Sequence, residues 1–414
     1  MADRLNVAVV GVGSFTGKTA LEGCAGENVV ALCDVDLRSL AERTDSYPDA
    51  AVYRDFRVMF DEMADKVDAV TVSTPDHTHF PIAMAAIQRG KHVFVQKPMA
   101  RTIGEVRALR DAAREHNVVT QMGNQGRAGD GIRTVREWVQ AGIVGTVQEI
   151  HAWTDRPREP WFHKPEQLPP PSGPVPEALD WDLWLGPAVE RPFSPAYMDK
   201  HWRTWWDFGC GALGDMGCHI LDAPFWALDL PPPKRVEVML SEPCRPEHTV
   251  FGAEVLYHFA GREGAPPFTL TWYEGEPEVL LPPDFEEERE VAGNGMYIMG
   301  DRATIMTFGP QANHPAIVPE TQMEELRTSL PPKTIPRVQG GPIQEWLRAI
   351  KGEGPAPGSN FDYAAPLTEL VLLGTLAIRS GRTLEWDAEA MEITNAPELN
   401  DWLAISARDG WASC

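Results

Sequence analysis

The chain has 414 residues, with 60 acidic against 37 basic side chains and a formal net charge of −23. That length suits two domains, each with its own core, and the acidic balance argues against nucleic acid or an anionic membrane as partner. No apolar run of about 18 residues stands out as a membrane span, and MADRLNVAVVG enters a strand at once, leaving no room for a signal peptide. The six cysteines (Cys24, Cys33, Cys210, Cys218, Cys244 and Cys414) include no CxxC pair, so the expectation is a cytoplasmic protein with reduced thiols.

In chain order, residues 7–10 form a β-branched apolar run that reads as a buried parallel strand. Gly11, Gly13 and Gly17 follow, and then KTALEGCA, with helical character. Strand, glycine turn and helix are what a dinucleotide site needs: a tight turn, backbone close to a pyrophosphate, and a helix N-terminus facing it. The same loop approaches the NTPase phosphate-loop pattern through Gly17, Lys18 and Thr19, but that pattern requires a glycine where Val12 stands. The run NVVALCDVD ends in Asp34, about twenty residues after Gly11, where a carboxylate accepts from an adenosine ribose and repels a 2′-phosphate. NAD is therefore expected over NADP, with Arg38 nearby as the feature that weighs the other way.

Strands and helices continue to alternate up to residue 122: DAVTVST before FPIAMAAIQRG, HVFVQ before a helix over 102–116, and VVTQMG last. This predicts a doubly wound parallel sheet in a domain over 1–122. After the helix GIRTVREWVQAG, the runs TVQEIHAWTD, RVEVMLSE, AEVLYHFAG and FTLTWYEG alternate with period two. They predict an α+β domain over 123–414 with a mostly antiparallel sheet, one face of it solvated or oligomeric. Three segments read as loops or arms: the Pro-rich 167–187, the acidic 284–290 and the Pro/Gly-rich 309–342. APLTELVLLGTLAIRSG predicts an amphipathic helix near 366–380 that packs back toward the first domain, and TLEWD a short strand. There is no internal repeat.

Two motifs carry chemistry. VQKPM places Lys97 at the end of a strand, and GDMGCHILD spaces Asp215, His219 and Asp222 so that one continuous helix would present all three on one face. A lysine and a histidine brought together can exchange protons near neutrality. Asp222 reads equally as support for His219 or as a plain helix-face carboxylate. A metal at His77 and His79 is the weaker reading because that turn is poor ligand geometry, and one at Cys218 and His219, although more metal-like, because the acid/base pair already explains that helix face; no metal is expected.

In order, GVGSFTG, CDVD, STPDHTHF, VQKPM, GDMGCHILD and a late YIMGDRATI strand resemble the Gfo/Idh/MocA family of NAD(P)-dependent oxidoreductases over nearly the whole chain. The resemblance implies a Rossmann domain joined to an α/β domain with an open-faced sheet, and a nicotinamide between them. It also implies sugar or polyol substrates and homodimers or homotetramers built through the sheet face. Carried over residue by residue, Gly11, Gly13, Ser14, Phe15 and the Gly17 region match the pyrophosphate turn, and Asp34 the ribose contact. Thr74, Pro75 and His79 match the turn beside the nicotinamide ribose, with Gln96 and Lys97 next to it. Lys97, Asp215 and His219 match the catalytic set; Asn124, Gln125, Trp202 and Arg203 are placed with Asp215 and His219 at the substrate.

The family has Glu where this chain has Gln96, so the carboxylate that would stabilise the lysine's charge is missing. Five tryptophans fall between 181 and 206 (Trp181, Trp184, Trp202, Trp205 and Trp206). One or two are expected to stack on a sugar ring, with Arg203 and Asp207 beside them, and the rest to be structural. The arm LDWDLWLGP is expected to cap the pocket of its own or a neighbouring subunit. Three functions follow: a dehydrogenase on a sugar or polyol hydroxyl, a redox-neutral glycoside-modifying enzyme with tightly held NAD, or a non-catalytic sugar sensor.

Overall fold

The computed structural model describes residues 4–261, 266–275, 278–286, 288–404 and 407–411. The first domain runs β1 (Asn6–Val10), α1 (Phe15–Gly23), β2 (Asn28–Cys33), α2 (Leu37–Thr44), β3 (Ala51–Tyr53), α3 (Phe56–Met63), β4 (Ala69–Val72), α4 (His79–Gln88), β5 (His92–Val95), α5 (Ile103–Glu115) and β6 (Thr120–Met122). The strands pair in parallel in the order β3-β2-β1-β4-β5-β6. The order reverses between β1 and β4, which leaves a crevice at their C-terminal ends. Local chemistry fixes the helix starts. Ser14 caps α1 by accepting from the Gly17 N–H, and Thr102 with Glu105 forms a capping box on α5.

The second domain opens with α6 (Asp130–Gln140) and β7 (Val147–Thr154), followed by a long excursion containing α7 (Trp181–Leu185). Then come α8 (Gly211–Ile220), α9 (Asp222–Ala227), β8 (Arg235–Leu240), β9 (Gly252–Phe259), β10 (Phe268–Gly275), β11 (Asn294–Gly300), β12 (Thr304–Phe308) and β13 (Asn313–Val318). It closes with α10 (Glu320–Leu326), α11 (Gly341–Ile350), α12 (Phe361–Ser380), β14 (Leu384–Asp387) and β15 (Glu392–Ile393). The nine strands lie in the order β13-β12-β11-β7-β10-β9-β8-β14-β15. All pairs are antiparallel except β7 with β10.

Several expectations need correction. YIMGDRATI is not one strand but the β11–β12 hairpin, turning at Asp301 and Arg302. The 309–342 segment carries β13 and α10 and begins α11, and the Pro-rich arm carries α7. α8 stops at Ile220 and Asp222 opens α9, so the three motif residues do not share one helix. The late helix starts earlier, at Phe361, and is buried on nearly every side rather than amphipathic. It is long and apolar enough by length and composition to cross a membrane, but 83% of that stretch is buried inside the fold. It rests on α5, α8 and β8, and Arg107 on α5 pairs with Glu369 at 2.8 Å. One face of the large sheet packs on α8 and α12. The other is half covered, because Phe285, Leu281 and Val279 lie over Trp153, Tyr273 and Tyr297, while Met239 remains 64% exposed.

Glu274 is an acid inside that helix-facing core. Its carboxylate accepts from Trp272 Nε1 at 3.0 Å, and burial pushes it from 4.5 up to about 8. A group with a raised folded value holds a proton that the unfolded chain has lost, so between pH 4.5 and about 8 stability falls as pH rises. The slope reaches roughly 1.4 kcal/mol per pH unit. Glu274→Gln keeps the shape and the tryptophan bond and is expected to flatten that slope. Thermal midpoints taken from about pH 5 to about pH 8 check this, and an unchanged slope would clear Glu274 of the effect.

Candidate functional site

A cleft of about 750 Å³ opens between the C-terminal ends of the parallel strands and the face of α8. Gly11, Gly13, Ser14, Phe15, Asp34, Thr74, Pro75, Gln96 and Lys97 line it from the first domain. Gln125, Trp202, Arg203, Asp215 and His219 line it from the second. His79 and Asn124, placed at the cofactor and substrate from sequence, lie behind its wall instead. His79 is buried between the carbonyls of Pro98 (2.8 Å) and Thr74 (2.9 Å), tying two turns of the wall together. Burial, and then the Lys97 charge, push its imidazole down to about 4, although the two carbonyls favour the proton.

The glycine turn leaves no room for side chains. Gly11 has φ +86°, and a Cβ there would sit 2.5 Å from the Ser73 carbonyl oxygen; one on Gly17 would sit 2.0 Å from the Gly11 oxygen. The backbone N–H of Gly13 donates to Asp34 Oδ2 at 2.9 Å, so the turn and the carboxylate are fixed to one another. Burial raises the Asp34 carboxyl above its ordinary value, partly offset by the N–H groups of Asp36 and Gly13. Phe15, 78% exposed, projects over the mouth. A close-packed turn, an open helix N-terminus and a carboxylate at the end of β2 fit a dinucleotide.

Across the cleft, Asp215 is the hub. Its carboxylate accepts from Lys97 Nζ at 2.7 Å, from Arg203 Nε at 3.1 Å and from Arg156, while Lys97 also donates to its backbone oxygen at 2.6 Å. Burial raises the Asp215 carboxyl, but Lys97, Arg203 and Arg156 outweigh that and hold it well below the usual carboxylate range. Next to it, Asp76 is buried without such a partner, and burial pushes it up to about 7 against the pull of Lys97 and Arg203.

His219 has a defined tautomer. Its Nδ1 lies 2.9 Å from Asn124 Oδ1, while the Asn124 amide nitrogen donates to Cys218 O at 2.6 Å and Asp222 Oδ2 at 2.8 Å. Those two bonds fix the amide, so Oδ1 must accept and Nδ1 must carry the hydrogen. Asp222 is in turn held by the Tyr363 hydroxyl. The imidazole is pushed down to about 3 by burial and then by the Lys97 charge, so it stands neutral, with Nε2 unpartnered among the described residues and available as a base. Asp222 thus supports His219 through Asn124, not by sharing its helix face. A neutral imidazole beside an ammonium can take a proton from a hydroxyl and stabilise the resulting oxygen.

Of the five clustered tryptophans, Trp184 and Trp202 reach the cleft. Trp181 stacks on Trp184 at 4.9 Å, Trp205 meets Tyr197 at 5.0 Å, and Trp206 joins the main core. Asp207 pairs with Arg191 and does not line the cleft. The arm is seated on its own chain. Leu37 N donates to Ala178 O at 3.0 Å, Asp180 N to Val35 O at 3.0 Å, and Leu179 and Leu183 close the cofactor end. Sequence reading passed over Arg156, Trp161 and Lys200, and weighed Asp76 only with His77 and His79 as a metal site. The first two stand in WTDRPREPW, where an arginine and a tryptophan flank prolines just past a strand end, which was the available signal.

The sequence model of an oxidoreductase family, described as an NAD-binding Rossmann fold, matches residues 5–124, and the C-terminal alpha/beta domain of that family matches 130–252. Levoglucosan dehydrogenase of Pseudarthrobacter phenanthrenivorans is 26% identical over 237 residues, 53% of this chain and 50% of that one. D-glucoside 3-dehydrogenase of Escherichia coli is 27% identical over 238 residues, 56% of each. The chain thus spans about half the length of the curated relatives it matches. Among solved structures, the WlbA dehydrogenase of Bordetella pertussis, in complex with NADH and UDP-GlcNAcA, superposes with a TM-score of 0.64 at 16% identity, covering 93% of this chain and 99% of that one. An inositol dehydrogenase homolog of Azotobacter vinelandii, with NADH and myo-inositol, gives 0.63 at 20% identity, covering 93% and 98%. At such identities the likeness is one of fold.

Proposed function

We propose, from the premise that this chain belongs to the Gfo/Idh/MocA oxidoreductase family, that it is an NAD-dependent dehydrogenase of a sugar, polyol or glycoside hydroxyl. The observation that carries this is the neutral His219, locked with Nε2 free, beside the Lys97–Asp215 pair in the cleft that the glycine turn enters. A bound nicotinamide supplies the hydride acceptor. Gly11, Gly13 and Gly17 bring backbone to its pyrophosphate, and Asp34 receives the adenosine ribose hydroxyls. His219 removes the proton of the substrate hydroxyl through Nε2, and the Lys97 ammonium stabilises that oxygen as charge develops. Asn124 keeps the imidazole oriented, while Asp215 holds Lys97 and Arg203 in place. Trp202 offers an apolar plane to a sugar ring. A panel of sugars, polyols and glycosides with NAD tests the reading by appearance of reduced nicotinamide. Turnover without its accumulation would favour the redox-neutral alternative, and no turnover of any member would reject both.

Cofactor preference rests on a second observation. Arg38, the cation that would greet a 2′-phosphate, is engaged bidentately by Asp36, with Nε–Oδ1 at 3.0 Å and Nη2–Oδ2 at 2.6 Å. With Asp34 facing the same ribose, NAD is favoured. Asp34→Ser is expected to weaken NAD about tenfold or more, as loss of a charge-assisted hydrogen bond does, and to narrow its margin over NADP. Titration of both cofactors checks this, and tighter NADP binding by the unaltered protein would overturn it.

A further inference from the structure

The substrate end of the cleft is strongly basic in a chain whose net charge is −23. Lys97, Arg156, Lys200 and Arg203 all line it. Three of them share a single carboxylate, Asp215. Asp76, which lies within electrostatic reach of Lys97 and Arg203, is pushed toward neutrality by burial. Asp199 beside Lys200 lies within electrostatic reach of Arg38, at the adenosine end. The indole of Trp161 gathers the cations on its ring, with Arg156 at 4.3 Å, Lys200 at 4.3 Å and Arg203 at 5.3 Å.

These groups are also short of acceptors. Arg156 spends one terminal nitrogen on Asp215, and Arg203 spends Nε there and Nη1 on the Lys200 carbonyl. Among the described residues, no protein acceptor is recorded for the remaining guanidinium N–H groups of either arginine, nor for the Lys200 ammonium. Like charges drawn this close repel one another, and one carboxylate does not neutralise four cations. A neutral polyol would answer the hydrogen bonds but leave the charge. An anionic group would answer both, and guanidinium forks suit carboxylates and phosphates.

We infer that the substrate carries an anionic group, a sugar carboxylate or a sugar phosphate ester, seated among Arg156, Lys200 and Arg203 while its reacting hydroxyl meets His219. This rests on the dehydrogenase reading and narrows its substrate class. The test uses the holoenzyme with NAD and matched sets of three compounds: a neutral glycoside, its 6-carboxylate counterpart and its 6-phosphate counterpart. At least one anionic member is expected to exceed its neutral counterpart in kcat/KM by about tenfold or more, the worth of a charge-assisted hydrogen bond. That advantage is expected to shrink as salt rises. Arg156→Gln and the more exposed Lys200→Gln are each expected to lower the anionic-to-neutral ratio, with NAD titration showing that the fold survives. The stronger of the two anionic arms tells carboxylate from phosphate. Turnover of neutral members with no anionic preference in any set overturns the inference and leaves the dehydrogenase standing. If no member of any set is oxidised, the dehydrogenase reading falls and the inference with it.

Discussion

Replacing His219 with Ala is expected to lower kcat by about 10²- to 10⁴-fold, the usual contribution of a positioned general base, with NAD affinity unchanged. The expectation follows from the tautomer. Nδ1–H is committed to Asn124, and Asn124 is committed to Asp222 and the Cys218 carbonyl, so only Nε2 can receive a proton. Asn124→Ala, which leaves the imidazole in place but free to turn, should show a smaller loss in kcat and little change in KM. Steady-state kinetics on both variants would decide the matter. A His219→Ala enzyme with full turnover would move the base elsewhere, and an Asn124→Ala enzyme with full turnover would remove the orienting role.

The second large effect concerns stability. Asp215→Asn removes the one carboxylate that, among the described residues, Lys97, Arg156 and Arg203 share, while its own side chain is 5% exposed and that of Lys97 12%. Breaking a buried pair from one side typically costs about 3–5 kcal/mol, because the remaining charge stays desolvated. Here three cations would remain, so a loss at the upper end of that range is expected, together with loss of turnover. The double variant Asp215→Asn, Arg156→Gln should recover part of the stability but not the activity. Denaturant unfolding reads the first effect, and a variant as stable as the parent would show that the cluster is balanced by something other than Asp215.

Much of the cofactor half could be read from sequence, because its signals are local. The glycines of β1–α1 report a turn that excludes Cβ atoms, and Asp34 follows at a fixed distance along a βαβ unit. The α8 motif was legible for a similar reason, since Asp215 and His219 lie one turn apart. Asn124 was visible but misplaced: its partner His219 is 95 residues away, and only the folded chain shows that it faces the histidine rather than the cleft. Arg156 and Lys200 were missed because they sit in irregular, proline-flanked segments with no periodicity to interpret. α11 was not read: its first two residues closed a stretch read as loop, although Pro342 just after Gly341 is a recognised helix-start signal. It buries Trp346 against Phe94, with ring centroids 5.8 Å apart, so a distant part of the chain completes the first domain.

The arm has one further consequence. The single excursion between β7 and α8 supplies Leu179, Leu183 and Trp184 to the adenosine end of the cleft and Trp202 and Arg203 to the opposite end. Its aromatics, Trp181 stacked on Trp184 and Trp184 edge-on to Phe208, bind it into one body. Two ligands that each help to order a common wall do not bind independently. Whatever free energy the first spends in settling that wall is spared for the second, and linkage makes the gain reciprocal: the factor by which cofactor tightens substrate equals the factor by which substrate tightens cofactor.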